Sequence, residues 1–231
     1  MRLRTVTDVS NYQGALSVEQ FRALKAAGVE VIVCGTDGSG AFPNVYAQQI
    51  AAAVEAGLEV EAYVFIYFAT DIAARTNQKL DLIQASGHVS RVWLDCEDVD
   101  APLDTGAVVS SIATARDAVH ARGFECGIYT GRWWWVPRTG DNDGFWNLKL
   151  WAAQYDQQPY LNVDPFGGWE SVYRKQYTDK GSLAGISPLD LNVELTPAPP
   201  PPTMEQVTAR YEAEIAAMIQ NVDAALAPHR R

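Results

Sequence analysis

The sequence predicts an α/β fold: eight strands closed into one barrel, with helices between the early strands, then a proline-rich linker and a C-terminal helix. Three observations predict it. Short β-branched runs alternate with Ala-rich stretches, which is the pattern of βαβ units. Gly28, Gly57 and Gly123 each follow a helical stretch and precede a strand-like one, where a helix C-cap belongs. The strand-like runs number eight, the count that closes a parallel barrel.

In chain order, β-branched runs place strands over 4–9, 31–36, 59–65 and 91–96, and Ala-rich stretches place helices near 17–27, 45–56, 72–86 and 105–122. A fifth strand over 125–129 ends the regular alternation. Beyond Tyr129, the segments between strands 149–154, 173–177 and 190–194 hold Trp, Gly, Pro and Asp, so the second half of the barrel is expected to be poor in helix. A doubly wound open sheet is the alternative, but no GxGxxG follows the first strand to support it.

The run Pro197-Ala198-Pro199-Pro200-Pro201-Pro202-Thr203 is expected to form an extended, semi-rigid linker. Residues 204–227 lack Gly and Pro and are rich in Ala, Glu, Gln and Met, so a helix is expected between an N-cap at Thr203 and a stop at Pro228. The organisation is therefore a barrel over 1–196, a linker over 197–203 and a helical tail over 204–231. Met204, Thr208, Tyr211, Ile215, Met218, Val222 and Ala225 form an apolar stripe in the tail. Three readings fit it: a helix that packs on the barrel or joins copies into a homo-oligomer, a solvated tail, or an amphipathic helix that disturbs membranes.

Composition excludes several classes. Of 231 residues, 48% are hydrophobic and 20% charged, enough to bury a core and too apolar for a disordered chain. No apolar run approaches the roughly 18–20 residues of a membrane span, so stable membrane insertion is not expected. A net charge of −10 argues against nucleic acid as the partner. No apolar stretch follows Arg2 and Arg4, so a Sec signal is not expected and the chain is expected to be made in a cytoplasm. Cys34, Cys96 and Cys126 are odd in number and far apart, and are expected to be buried free thiols.

A parallel barrel carries its active site at the C-terminal ends of its strands. Asp95 and Glu97 lie two apart on the fourth strand and share a face, with Cys96 turned toward the helices. Two neighbouring carboxylates repel, which raises one pKa and equips it as a general acid. Asp8 and Asp190 come from strands that become neighbours on closure, which gives four acids around one mouth. Tyr63, Tyr129, Trp151, Gln154, Tyr155 and Tyr177 are placed around them as substrate-binding residues. Aromatic faces stack on sugar rings and paired carboxylates cleave glycosidic bonds. Other barrel hydrolases, binding proteins and a carboxylate-bound Mg²⁺ or Ca²⁺ also fit such a cluster. His88, His120 and His229 lie away from strand ends, against a His-ligated metal or a Ser-His-Asp triad.

Over residues 5–195 the chain resembles glycoside hydrolase family 25 lysozymes, the Chalaropsis-type N-acetylmuramidases common among phage endolysins. Asp8-Val9-Ser10-Asn11-Tyr12-Gln13-Gly14 resembles the family's opening DVSxYQG, followed by Leu24-Lys25-Ala26-Ala27-Gly28-Val29 at its first helix end. Ala56-Gly57-Leu58 with Ala62-Tyr63-Val64-Phe65 resembles AGL…AYHF, and Leu94-Asp95-Cys96-Glu97 resembles LDxE. Ile128-Tyr129-Thr130-Gly131, Leu150-Trp151-Ala152-Ala153-Gln154-Tyr155 and Gln176-Tyr177-Thr178 match IYTG, LWxAxY and QYT. Gly185-Ile186 with Leu189-Asp190-Leu191-Asn192 resembles GI…VDLN.

The resemblance implies a TIM-like barrel of five βα units followed by three strands. It implies hydrolysis of the β-1,4 bond between N-acetylmuramic acid and N-acetylglucosamine in bacterial peptidoglycan, with net retention and with no metal or cofactor. Glu97 matches the general acid, Asp95 the carboxylate that stabilises the reacting centre, and Asp8 and Asp190 the flanking acids. It also implies a phage endolysin that reaches the host wall after holin-type release. A non-catalytic glycan-binding or virion structural homologue, and a glycosidase acting on chitin, are the competing readings. Three departures alter the groove. Cys34-Gly35-Thr36-Asp37-Gly38 stands where many members have Lys-Ala-Thr-Glu-Gly, Val64 where they have His, and Arg174-Lys175 where a Trp usually precedes Gln176.

Overall fold

In the computed structural model the described residues are 2–37 and 44–196. The chain divides into two units, Met1–Thr196 and Pro197–Arg231. The second unit lies outside the described residues, and with it the expected linker, tail helix and apolar stripe, as does Gly38.

Eight strands close into a barrel in sequence order. They are β1 (Arg2–Val9), β2 (Val29–Gly35), β3 (Glu59–Phe65), β4 (Arg91–Asp95), β5 (Glu125–Thr130), β6 (Lys149–Ala153), β7 (Arg174–Leu183) and β8 (Ile186–Thr196). The helices are α1 (Val18–Ala26), α2 (Tyr46–Glu55), α3 (Ile72–Ser86), α4 (Thr105–Ala121) and α5 (Arg132–Thr139). Gly28, Gly57 and Gly123 hold positive φ just beyond α1, α2 and α4, as expected of residues that end helices.

Two expectations need correction. The barrel is not wholly parallel: β1 to β7 pair in parallel, while β8 runs antiparallel to both β7 and β1. The reason is the connection. Leu183 pairs with Ile186, and the two residues between them, Ala184 and Gly185, have φ of 53° and 79°. Two left-handed residues make a tight hairpin turn, and a hairpin joins only antiparallel strands. The two strands are also longer than the expected 173–177 and 190–194.

The second correction is α5. The segment Arg132-Trp133-Trp134-Trp135-Val136-Pro137-Arg138-Thr139 has poor helical composition and a Pro inside, yet it is a helix. Burial outweighs propensity here. Trp134 and Trp135 are buried, and Trp135 meets Phe145 and Trp169 edge-on at centroid distances of 5.7 and 4.9 Å. The five βα units implied by the family resemblance are therefore present, and the loop reading drawn from composition at this segment is not.

The larger core lies between the barrel and its helices, and Cys34, Cys96 and Cys126 are buried in it as free thiols. A smaller core fills the barrel's centre, around Val6, Val31, Val33, Trp93 and Trp151. Gly127 makes it possible: a Cβ there would stand 2.4 Å from the Trp93 ring. Below it sits a buried ion network. Arg174 binds Glu194 and lies 2.8 Å from Glu61 as an ion pair rather than an aligned hydrogen bond. Arg4 binds Glu194, while Arg91 and the Trp93 indole N–H bind Glu61. The Arg174 guanidinium also lies 4.9 and 5.1 Å from the rings of Trp93 and Trp151. This packing closes the lower end of the barrel and leaves the opposite end open.

Candidate active site

The open end holds a cleft of about 600 Å³. Asp8, Asp95, Glu97 and Asp190 all line it, so the four predicted acids do converge. Register explains how. Asp8 pairs directly opposite Asp190 across β1 and β8, and Asp95 stands between Phe65 of β3 and Tyr129 of β5. Because β8 runs antiparallel, a residue early in that strand arrives at the same mouth as residues late in the others. Glu97 lies just past β4, and the exit is tied down. The Cys96 N–H donates to the Tyr129 carbonyl at 2.9 Å, and the Thr130 hydroxyl donates to the Cys96 carbonyl at 2.7 Å.

Burial pushes all four carboxyls upward, and the charge of neighbouring acids adds to it at Asp95, Glu97 and Asp190. Glu97 rises to about 7 through burial and the charge of Asp8. Asp8 rises only to about 6, because Asn192 donates to its Oδ2 at 2.8 Å. Asp190 rises to about 9, from burial and then the adjacent Asp8. Asp95 goes well above the carboxylate range through burial and the charge of Glu97. The set holds protons into the neutral range and titrates as a unit. Asp95 Oδ1 is also buried without a hydrogen-bond partner.

Tyr63, Tyr129, Trp151 and Tyr155 line the cleft as expected. Tyr63 fits because residue 35 is Gly: a Cβ there would stand 2.5 Å from the Tyr63 ring. Trp151 is only 1% exposed, and its indole N–H donates to Asn192 Oδ1 at 2.7 Å, so it braces Asn192 and through it Asp8. Gln154 and Tyr177 do not line the cleft. Strand alternation is the reason: Trp151 and Ala153 point inward, so Gln154 points out, and Gln176 points inward, so Tyr177 does not. Gln154 instead bonds Asp156 at 3.0 Å.

Gln176 and Asn192 were missed as site residues, although both stand in the matched motifs. The Tyr129 hydroxyl donates to Gln176 Oε1 at 2.5 Å and lies 3.1 Å from the Tyr155 hydroxyl. Tyr129 also tempers the rise in the Glu97 pKa. A general acid poised near neutrality, a second buried carboxyl beside it and an aromatic wall suit hydrolysis of a glycosidic bond.

The family model for glycosyl hydrolases family 25 matches residues 7–186. The chain belongs to glycosyl hydrolases family 25. Lysozyme-like protein 5 of Caenorhabditis elegans is 31% identical to this family 25 chain over 77% of it and 86% of the relative. Probable GH family 25 lysozyme 4 of Dictyostelium discoideum is 32% identical over 74% of this chain and 82% of its own. Among solved structures, the bacterial lysozyme from Streptomyces coelicolor shares the fold with a TM-score of 0.70 at 21% identity, covering 84% of this chain and 93% of that one.

The departures of this family 25 hydrolase have structural roles. Arg174 joins the buried ion network below the site. Lys175 is fully buried and binds Asp156 Oδ2 at 2.7 Å and Asn162 Oδ1 at 3.3 Å. That clamp pins the segment that carries Tyr155 over Tyr129 and Gln176. Lys175→Met is therefore expected to lower kcat/KM by about tenfold, the scale of one or two lost hydrogen bonds. Tyr155→Phe added to it should cost little more, because both act on one network. Independent, additive losses would show that the clamp does not act through Tyr155.

The raised pKa values give a pH profile. If Glu97 is the acid and Asp8 the ionised partner, activity requires a proton on Glu97, which is present below about 7, and a carboxylate at Asp8, which forms above about 6. kcat/KM on soluble fragments is expected to peak between about 6 and about 7 and fall on both sides. Stability follows the same sign. Carboxyls whose pKa is raised by folding stabilise the fold below their unfolded values and lose that contribution as pH climbs through about 6 to about 9. Calorimetry should therefore record a falling Tm across that window, and a Tm that rises there would contradict the burial of these groups.

Proposed function

We propose that this chain is a peptidoglycan muramidase that hydrolyses the β-1,4 bond between N-acetylmuramic acid and N-acetylglucosamine with net retention. The observation that carries the proposal is Glu97, raised to about 7, beside the buried Asp95 in an aromatic-walled cleft. Glu97 gives its proton to the departing glycosidic oxygen and, as a carboxylate, then takes one from the incoming water. Asp95 Oδ1, buried and without a partner, accepts the acetamido N–H of the sugar being cleaved and orients its carbonyl oxygen, which bonds to the reacting carbon as the glycosidic bond breaks and is displaced from it when the water attacks. Asp8, ionised above about 6, supplies negative charge against the positive charge that develops on the ring, while Asp190 stays protonated beside it. The lysozyme names carried by the relatives support this bond as the substrate.

The test is digestion of purified peptidoglycan, reduction of the products and mass spectrometry. Reduced muramic acid ends are expected. Reduced glucosamine ends would identify a different glycosidase, and sugar binding without products would favour a non-catalytic homologue.

The finer setting in this proposal is a phage endolysin, supported by the ordered match to motifs found in such enzymes. Expression in a bacterial cytoplasm with and without a holin tests it. Lysis only with the holin is expected, and intact cells in both cases would reject it.

A further inference from the structure

Asp37 stands two residues beyond β2 and lines the cleft, yet the proposed chemistry does not use it. Its Oδ1 takes two cations from α3, Arg75 Nη2 at 2.6 Å and Lys79 Nζ at 2.8 Å. Lys79 also donates to the Thr36 carbonyl at 3.1 Å, so the carboxylate is drawn back against α3 and fixed. Its Oδ2 is buried and has no hydrogen-bond partner. Beside it, Phe65 and Tyr67 line the cleft with ring centroids 4.5 Å apart. The Arg75 guanidinium sits 4.1 Å from the Tyr67 ring centroid and braces that ring from one side, while Tyr67 is still 38% exposed.

These features are those of a sugar subsite. A half-exposed aromatic ring offers a face to the apolar side of a pyranose. An ionised carboxylate oxygen only accepts hydrogen bonds, so an empty Oδ2 asks for a donor. A buried acceptor left unfilled is unfavourable, so a ligand that fills it gains affinity. Asp in place of the Glu common in the matched stretch is one methylene shorter.

We propose that Asp37 and Tyr67 form a glycan subsite distinct from the four-acid centre: a sugar unit of the substrate strand stacks on Tyr67 and donates one hydroxyl or acetamido N–H to Asp37 Oδ2. The subsite rests on the muramidase reading for the identity of its sugar, and it sets affinity for long strands rather than the chemical step.

The test measures binding of peptidoglycan disaccharide and tetrasaccharide fragments by calorimetry, with Glu97→Gln as the parent so that nothing is cleaved. The parent is expected to bind the tetrasaccharide more tightly than the disaccharide. Asp37→Asn keeps an oxygen for Arg75 and Lys79 but turns a donor toward the cleft where the acceptor stood. Tyr67→Ala removes the platform and the ring against Arg75 but leaves both cations in place for Asp37, and it carries the test alone if Asp37→Asn fails to fold. Each is expected to weaken tetrasaccharide binding about tenfold and to leave the disaccharide within about twofold, the scale of one hydrogen bond or one stacking contact. Tetrasaccharide affinity unchanged in Tyr67→Ala would overturn the subsite while leaving the muramidase reading intact. Absence of binding by the parent to either fragment would overturn both. If the parent binds but wild-type digestion yields no muramic acid ends, the reaction is wrong and the subsite stands.

Discussion

Glu97→Gln is expected to lower peptidoglycan turnover by about 10²–10⁴-fold, the usual contribution of a general acid. The amide keeps the shape of the side chain and cannot donate a catalytic proton to the leaving oxygen. Above about 7, where Glu97 is ionised, it also removes one charge from a crowded cluster. Asp95 is held up first by burial and next by the charge of Glu97. With that charge gone, repulsion falls, so the variant is expected to melt at the same temperature as the wild type or higher. Loss of activity with an unchanged or raised Tm identifies a chemical role. Loss of activity with a lowered Tm would instead mean that Glu97 supports the fold, and the assignment of the acid would fail.

Arg174→Met is expected to cost about 3–5 kcal/mol of stability, the penalty for leaving buried charge without its partner. Arg174, Glu61 and Glu194 are all buried at the lower end of the barrel. Burial pushes Glu61 upward, but Arg174 and Arg91 outweigh it and hold the carboxyl below its usual range. A depressed carboxyl stabilises the fold above its unfolded pKa and loses that contribution as pH falls. The substitution should therefore hurt most near neutral pH and less in acid, where Glu61 can take a proton. Urea unfolding at two pH values measures both. A loss below about 1 kcal/mol would show that Arg4 and Arg91 alone balance the two glutamates.

Much of this was legible in the sequence because local chemistry sets it. Helix-ending glycines at 28, 57 and 123, the Ala-rich stretches and the β-branched runs depend on backbone preferences that act over a few residues. The pairing of Asp95 with Glu97 depends only on strand alternation carried one step past β4. The same alternation, applied to β6 and β7, would have turned Gln154 and Tyr177 away from the cleft and brought Gln176 into it. Helix α5 was different, since nothing in Trp133-Trp134-Trp135-Val136-Pro137 favours a helix until its indoles have a core to enter.

By itself the sequence determined the strand and helix order, the four acids and the family whose chemistry they serve, because each is carried by spacing along one chain. Only the tertiary structure decided the direction of β8, the inward turn of Gln176 and Asn192, the clamp of Lys175 on Asp156 and the unfilled oxygen of Asp37. These depend on which residues meet across the barrel. Burial then sets the working pKa of Glu97, because the loss of water around a carboxyl follows from its distant neighbours and not from its position in the chain.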